Sequence, residues 1–206
     1  MSPPSLRNEE VQALGEQGWF TRDAFLGEAE ARLLLVEAQA CVDAGRLRPA
    51  GIRRGADHAL ERATRGDFIT WVEPGAADTA FGRLRDTYAA LGDVLSAEAY
   101  LGLGRFDLQL AWYPGDGARY ARHADAFPGQ SNRRVTVIYY LNPDWVPEHG
   151  GLLRLYPEPG PVDVEPRLDR LVVFLSERIE HEVLASHASR LALTAWFYGR
   201  GAGPGF

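Results

Sequence analysis

The sequence predicts an α+β fold in which helices support a β-sandwich, barrel or jelly roll. Helical periodicity dominates the first hundred of the 206 residues, whereas short β-rich segments separated by Gly, Pro, Asn and Asp follow Gly104. Short strands at this spacing are typical of sandwiches, barrels and jelly rolls rather than of a parallel α/β sheet. Because no segment resembles a linker, we expect one domain over 1–206, with helical support over about 1–100 and a strand-rich core over about 105–199.

The elements of the first half follow from apolar residues spaced three and four apart and from the turn residues between them. The strongest helix, 27–44, is predicted because Ala31, Leu34 and Ala38 recur at helical spacing before Gly45 ends it. The predicted elements are helices at 8–18, 27–44 and 78–95, a long loop at 46–66 and a strand at 68–72.

The second half contains eight predicted strands, and the last of them has two different faces. The strands are 107–113, 119–123, 134–141, 151–156, 162–165, 168–175, 181–184 and 190–198. The face predicted to pack in the core comprises Leu191, Leu193, Ala195 and Phe197. The opposite face comprises Arg190, Ala192, Thr194 and Trp196. A guanidinium, a hydroxyl and an indole in one row favour a pocket for an anion, since Arg binds carboxylate through two parallel hydrogen bonds. The alternative is an edge-strand Arg paired with a surface acid.

Composition excludes several classes of function. The net charge of −6 argues against a nucleic-acid partner or an anionic membrane surface. All 22 basic residues are Arg, so Schiff-base chemistry and a Walker-type phosphate loop are excluded. The lone Cys41 offers neither an internal disulfide nor a thiolate cluster. No signal peptide or membrane-spanning run is visible, and a cytoplasmic location is the default expectation.

Two residues at the end of a predicted strand have the pattern of metal ligands. His123 and Asp125 lie at positions i and i+2, which places both side chains on one face of a strand. One imidazole and one carboxylate make up two-thirds of a facial triad, the arrangement that binds Fe(II) and leaves positions open for O2. The best candidate for the third ligand is His181, on a later strand. The alternative is a chance His-x-Asp pair and a structural histidine.

A tyrosine on a neighbouring strand is a second candidate for the pocket. Tyr140 shares one face of strand 134–141 with Thr136 and Ile138. Its hydroxyl can donate to the same carboxylate that Arg190 binds. The alternative, which is the commoner case for any single tyrosine, is a core residue whose hydroxyl reaches the rim.

Six stretches, in order from Arg65 to Gly199, show a resemblance to a known family. They are RGDFITWVE (65–73), AWYPGDGARYARHAD (111–125), RVTVIYYLNPDW (134–145), HGGLLRLYPE (149–158), LDRLVVFLSERIEHEV (168–183) and RLALTAWFYG (190–199). With them the chain resembles the Fe(II)- and 2-oxoglutarate-dependent prolyl hydroxylases of the hypoxia-inducible-factor (Egl-nine) type and their bacterial relatives. The first 60 residues match only loosely.

The resemblance implies a fold and a set of site residues. The fold would be a double-stranded β-helix (a distorted jelly roll) with N-terminal supporting helices. The implied Fe(II) ligands are His123, Asp125 and His181. The implied cosubstrate pocket comprises Arg190, Tyr140, Tyr113, Thr194, Trp196 and Ile138, with Arg190 and Tyr140 on the distal carboxylate. Arg133 and Tyr120 would contact substrate, and the loop 47–65 would be a flap that closes on it.

The resemblance also implies an activity, in which the enzyme would hydroxylate a prolyl residue at its 4-position. It would consume O2 and 2-oxoglutarate at Fe(II), release succinate and CO2, and use L-ascorbate as a supporting reductant. The implied partner is a protein or peptide that carries the target proline. Two alternatives stay open: a 2-oxoglutarate-dependent hydroxylase of a free amino acid or another small molecule, and a non-enzymatic jelly-roll binding module.

Overall fold

The computed structural model describes residues 4–51, 65–75, 78–127, 129 and 131–201. The α-helices are α1 (Asn8–Glu16), α2 (Glu28–Asp43) and α3 (Ala80–Glu98), and a short 3-10 helix spans Pro147–His149. The strands are β1 (Trp19–Arg22), β2 (Arg48–Pro49), β3 (Phe68–Trp71), β4 (Leu103–Tyr113), β5 (Ala118–His123), β6 (Arg133–Tyr140), β7 (Leu153–Leu155), β8 (Val162–Val164), β9 (Leu171–Leu175), β10 (His181–Ser186) and β11 (Arg190–Gly199).

The strands form two antiparallel sheets that face each other. The larger sheet has the order β1-β9-β6-β11-β4-β3-β2, and the smaller has the order β5-β10-β7-β8. Side chains from both sheets meet between them, among them Tyr113 and Ile138 from the larger and Leu153 and Val183 from the smaller. This is a jelly-roll arrangement with helices added at the N-terminal end of the chain, so the α+β prediction is confirmed.

The helices pack on the outer face of the larger sheet and form a second core there. The helix-side face of β11 includes Leu193 and Phe197, which belong to the same buried cluster as Leu84 and Leu95 of α3. Gly92 of α3 is needed for this close approach, because a Cβ at that position would lie 2.8 Å from the Phe197 ring. The larger sheet is therefore covered on both faces, by the helices on one side and by the smaller sheet on the other.

The predicted elements are found with small changes at their ends, but two strands escaped prediction. β1 pairs with β9, and β2 pairs with β3, so the N-terminal half contributes three strands to the larger sheet rather than helices with a single strand. Both missed strands are four residues or shorter, too short for alternation to show. Residues 52–64 of the predicted loop and flap lie outside the described residues. No helix among the residues described is long and apolar enough to cross a membrane.

A buried aspartate joins the start of α2 to the larger sheet. The Asp169 carboxylate accepts hydrogen bonds from the backbone N–H groups of Leu26 and Gly27, each at 2.8 Å, and from the Tyr139 hydroxyl at 2.8 Å. Burial and this bond raise the Tyr139 pKa, so the phenol stays a neutral donor. One carboxylate thus satisfies three donors that folding removes from water.

We expect Asp169→Ala to lower the free energy of unfolding by about 3 kcal/mol, because three donors lose their acceptor and at least one of them stays buried. Urea denaturation followed by circular dichroism measures the loss. Asp169→Asn is the matched control: it keeps one acceptor oxygen and tolerates the left-handed backbone at this position (φ 62°), so its loss should be smaller. Equal stability of the Ala variant and the wild type would show that this carboxylate is not a structural anchor.

Candidate active site

Strand pairing in the smaller sheet brings together the three residues with metal-ligand character. His123 ends β5 and His181 begins β10, and the antiparallel register places the two residues opposite each other. Asp125 lies two residues beyond His123, where the chain has left the strand. The Nε2 atom of each histidine lies 3.7 Å from one carboxylate oxygen of Asp125. One ligand atom from each residue can be chosen so that all three lie within 4.8 Å of one another.

Backbone carbonyls orient both imidazoles. Nδ1 of His123 lies 2.9 Å from the Ala121 carbonyl oxygen, and Nδ1 of His181 lies 3.4 Å from that of Ile179. Each carbonyl accepts the Nδ1–H proton, which leaves the Nε2 lone pair of each ring free to face Asp125. The tautomer that a metal requires is therefore set by the backbone of the same two strands.

The charge states of His123 and Asp125 suit a divalent cation. Burial, together with the neighbouring His181, lowers the pKa of His123 to about 4, so its imidazole is neutral at pH 7. Burial alone would raise the pKa of Asp125, but the two histidines and the Thr136 hydroxyl outweigh it and hold that pKa below its ordinary value. Two imidazole nitrogens and one carboxylate are a ligand set that fits Fe(II). Within the described part of the chain, no other cluster of His, Cys, Asp and Glu has this geometry.

Two buried hydroxyls support the carboxylate from behind. Thr136 Oγ1 donates to Asp125 Oδ2 at 2.7 Å, and Ser176 Oγ lies 2.9 Å from the same Thr136 oxygen. Neither Thr136 nor Ser176 is exposed to solvent at all. Alternation along β6 places Thr136 on the same face as Tyr140 but indicates no role for its hydroxyl. The sequence gives no signal for Ser176, because a serine after a strand usually marks a turn.

A cavity of about 690 Å³ opens beside the three residues, and Arg190 is part of its wall. Arg190 is 3 % exposed, and its Nε donates to the Gly151 carbonyl at 2.8 Å. Its Nη2, although buried, has no hydrogen-bond partner among the described residues. Gly151, at φ 67°, makes room for this side chain, since a Cβ there would lie 2.8 Å from Arg190 Cδ. The guanidinium is thus held through Nε, while its Nη2 is left without a partner in the described structure.

Two tyrosines flank this guanidinium. The Cζ atom of Arg190 lies 4.9 Å from the ring centroid of Tyr113 and 5.1 Å from that of Tyr140. Tyr113 lines the cavity, whereas Tyr140 is fully buried behind it. Burial raises the pKa of Tyr140 to about 12 despite the nearby cation, so its hydroxyl is a neutral donor. That hydroxyl also lacks a partner in the described structure. A carboxylate would satisfy both orphaned donors.

The remaining sequence-predicted residues also reach this cavity. Its lining includes Ile138, Thr194, Trp196, Arg133 and Tyr120. Arg133 lies with Cζ 4.6 Å from the centroid of the Trp196 ring, and its Nη1 donates to the Asp125 carbonyl at 3.4 Å. Except for Tyr140, which lies just behind the wall, the structure therefore gathers all the predicted site residues around one cavity. Two further lining residues, Arg65 and Asp67, were not singled out from the sequence.

Two imidazoles and a carboxylate line one cavity together with an arginine whose Nη2 has no partner among the described residues. This combination defines the class of non-haem metal sites that take an anionic cosubstrate. Comparison with known proteins gives the same class. The model of the 2OG-Fe(II) oxygenase superfamily matches residues 108–198. Human prolyl hydroxylase EGLN3 is 37 % identical over 204 residues, an alignment that spans 91 % of this chain and 81 % of the human protein.

Solved structures agree with the sequence relatives. A prolyl-4-hydroxylase from Pseudomonas putida superimposes with a TM-score of 0.83 at 36 % identity, over 93 % of this chain and 98 % of that one. A prolyl hydroxylase from Trichoplax adhaerens, solved with a hypoxia-inducible-factor peptide fragment, has a TM-score of 0.82 at 30 % identity, over 93 % and 88 %. The chain therefore belongs to the 2-oxoglutarate- and Fe(II)-dependent oxygenases, in the family of the Egl-nine prolyl hydroxylases. The double-stranded β-helix prediction is confirmed, and Fe(II), 2-oxoglutarate and O2 are the cofactors of this family.

We expect Thr136→Val to weaken the binding of Mn(II), used as a probe for Fe(II), by about 10-fold, because outer hydrogen bonds orient metal-binding carboxylates. Titration of the apoprotein followed by electron paramagnetic resonance of free Mn(II) gives the dissociation constant. Thr136→Ser keeps the hydroxyl and should stay near the wild-type value. If the Val variant binds Mn(II) as tightly as the Ser variant, the hydroxyl does not position Asp125.

Proposed function

We propose that the protein is a 2-oxoglutarate-dependent prolyl 4-hydroxylase that acts on a proline within a protein or peptide. One observation carries the proposal: the His123–Asp125–His181 cluster lines the same cavity as Arg190, whose buried Nη2 has no partner among the described residues. A metal at one end and a carboxylate anchor at the other are what a chelating dicarboxylic acid requires. Similarity to prolyl hydroxylases over nine-tenths of the chain supports the choice of proline as the target.

The metal ligands of this proposal are His123, Asp125 and His181. When bound, Fe(II) would allow O2 to oxidise 2-oxoglutarate to succinate and CO2, with one oxygen atom of O2 entering succinate and the other inserted into a C–H bond of the substrate. Two imidazoles and a single carboxylate would leave a net positive charge on a divalent ion, which would favour an anionic cosubstrate beside it. With only three protein ligands, such an ion would keep positions open for other ligands.

Arg190 and Tyr140 form the proposed carboxylate anchor. Arg190 contributes charge and a fork of donors whose plane is fixed by the bond to Gly151, and Tyr140 contributes a neutral hydroxyl. Tyr113, Ile138, Thr194 and Trp196 would surround the remainder of the cosubstrate; of these, Ile138 and the rings exclude water from the site.

Substrate would enter past Arg133 and Tyr120, which line the same cavity. Arg133 has no carboxylate partner among the described residues, so its charge is available to a peptide. L-ascorbate as a supporting reductant and a cytoplasmic location complete the proposal. The single cysteine is in keeping with a reducing compartment, where disulfides are rare.

Removal of a metal ligand should abolish turnover. We expect Asp125→Ala and His181→Ala to lose Mn(II) binding and all release of succinate from 2-oxoglutarate, because two remaining ligands cannot hold the ion. Succinate formation is measured at saturating Fe(II), alongside a thermal melt of each apoprotein to verify folding. Full activity of either variant at controlled metal concentration would eliminate the ligand assignment.

Changes at Arg190 should affect the cosubstrate without affecting the metal. We expect Arg190→Ala to raise the 2-oxoglutarate requirement about 30-fold or more, since a buried carboxylate would lose its charged partner. Arg190→Lys should be intermediate, because an ammonium keeps the charge but not the planar fork. The measurements are the KM for 2-oxoglutarate and the Mn(II) dissociation constant. An unchanged KM in the Ala variant would exclude Arg190 as the anchor.

Hydroxylation of a peptidyl proline is tested by mass spectrometry. After incubation with Fe(II), 2-oxoglutarate and ascorbate, we expect a proline-containing protein of the source cell to gain the mass of one oxygen atom on proline, and the Asp125→Ala protein to leave it unchanged. Fragmentation with a 4-hydroxyproline standard fixes the ring position. Oxygen gained only by free amino acids or other small molecules would favour the small-molecule hydroxylase instead.

A further inference from the structure

A row of stacked groups leads from a buried ion pair to one of the proposed metal ligands. The Tyr120 ring lies on the His123 imidazole, with centroids 3.8 Å apart and planes inclined by 20°. The guanidinium of Arg65 lies over the Tyr120 ring, with its Cζ 4.3 Å from the ring centroid. Asp67 holds that guanidinium through two bonds, from Nε at 2.7 Å and from Nη2 at 3.0 Å. We refer to Asp67, Arg65, Tyr120 and His123 as the ligand stack.

The backbone around the ligand stack joins the two sheets. Arg65 forms an isolated antiparallel bridge with Tyr120 of β5, and the N–H of Gly66 donates to the Arg119 carbonyl at 2.9 Å. The next carbonyl, that of Asp67, accepts from Ala50 N–H at 2.9 Å, shortly before β3 begins. Residues 65–67 therefore connect the edge of the smaller sheet to the edge of the larger one, directly beside His123.

The geometry points to Tyr120 and Arg65 as positioning residues that fix the ring plane of His123 for metal binding. The Ala121 carbonyl restrains Nδ1, but a single hydrogen bond leaves the imidazole free to rock about it. Tyr120 covers the face of the ring and removes that freedom. Arg65 in turn holds Tyr120, both over its face and through a bond from Nη1 to the phenol oxygen at 3.4 Å.

The ion pair gives the stack its rigidity. Asp67 is 2 % exposed, so its carboxylate depends on the guanidinium for charge compensation and the guanidinium cannot turn away. Nη2 of Arg65 also reaches Gln109 Oε1 of β4 at 3.4 Å. An arginine is required here, because a lysine ammonium can neither form the two-bond fork nor lie flat on a ring.

This inference rests on the proposed role of His123 as a ligand, and the experiment separates the two. Mn(II) binding by the wild-type full chain, and its loss in Asp125→Ala, test the ligand set. With that set established, the same titration of Tyr120→Leu, Tyr120→Phe, Arg65→Met and Arg65→Lys tests the stack. Arg105→Met is the matched control, because Arg105 also lies over a tyrosine (3.9 Å from the Tyr198 centroid) and pairs with an aspartate, whereas neither of these partners stacks on a proposed ligand.

We expect Tyr120→Leu and Arg65→Met each to weaken Mn(II) binding about 10-fold. Tyr120→Phe, which keeps the stacked ring, should stay within about 3-fold of wild type, and Arg65→Lys should behave like Arg65→Met. Arg105→Met should not change binding. Because Arg65 acts through Tyr120, the double variant Arg65→Met/Tyr120→Leu should bind no more weakly than Tyr120→Leu alone.

A spectroscopic measurement isolates His123 from His181. In the Co(II)-loaded protein, the Nδ1–H protons of the two ligands give separate paramagnetically shifted resonances. They are assigned in the wild type by nuclear Overhauser contacts, to the Tyr120 ring for His123 and to the Phe174 ring for His181. We expect Tyr120→Leu to displace the His123 resonance and to speed the exchange of its proton with solvent, while the His181 resonance stays unchanged. In Tyr120→Phe, the His123 resonance should stay near its wild-type position.

Unchanged Mn(II) affinity in Tyr120→Leu together with a changed KM for substrate would overturn the inference and leave Tyr120 as a substrate contact only. Additive losses in the double variant would overturn the role of Arg65 through Tyr120. If Tyr120→Leu does not fold, as judged by its melting curve, the comparison of Arg65→Met with Arg65→Lys and with Arg105→Met decides: equal losses in Arg65→Met and Arg105→Met contradict the inference.

Discussion

The antiparallel register of β5 against β10 is the constraint on which the site depends. It places the last residue of one strand opposite the first residue of the other, and both are histidines. A shift of one residue in either strand would turn one imidazole to the opposite face of the sheet. Hydrogen bonds to Ala121 and Ile179 then use the backbone of the same strands to set the tautomers. Asp125 requires less of the sheet, since it follows the strand and is held by Thr136 of the facing sheet.

The larger sheet serves the site by being buried on both faces. The alternate residues of β11 belong to different cores, with Leu193 and Phe197 against the helices and Ala192 and Trp196 toward the cavity. The helices therefore contribute no residue to the cavity lining, but they pack behind the strand that carries Arg190 and support it.

The elements with strong periodicity and the side chains with distinctive chemistry could be predicted from the sequence. The alternation along β11 correctly separated core residues from cavity residues. The His-x-Asp pair and a distant histidine located the cluster of candidate metal ligands. The support behind these residues was not visible. Thr136 and Ser176 are ordinary strand and turn residues until the fold brings them to Asp125, and Gly151 matters only because Arg190 passes it. The missed strands β1 and β2 are edge elements, defined by their partners rather than by their own pattern.

Arg190 Nη2 and the Tyr140 hydroxyl are buried donors without partners in the described structure. Each such group destabilises the folded state by roughly 1–3 kcal/mol relative to a satisfied one. A dicarboxylic acid that accepts from both would recover that free energy only in the native protein, so its concentration and the melting temperature would be thermodynamically linked. Through these two donors, cellular 2-oxoglutarate would then stabilise the native protein as well as serve as a reactant.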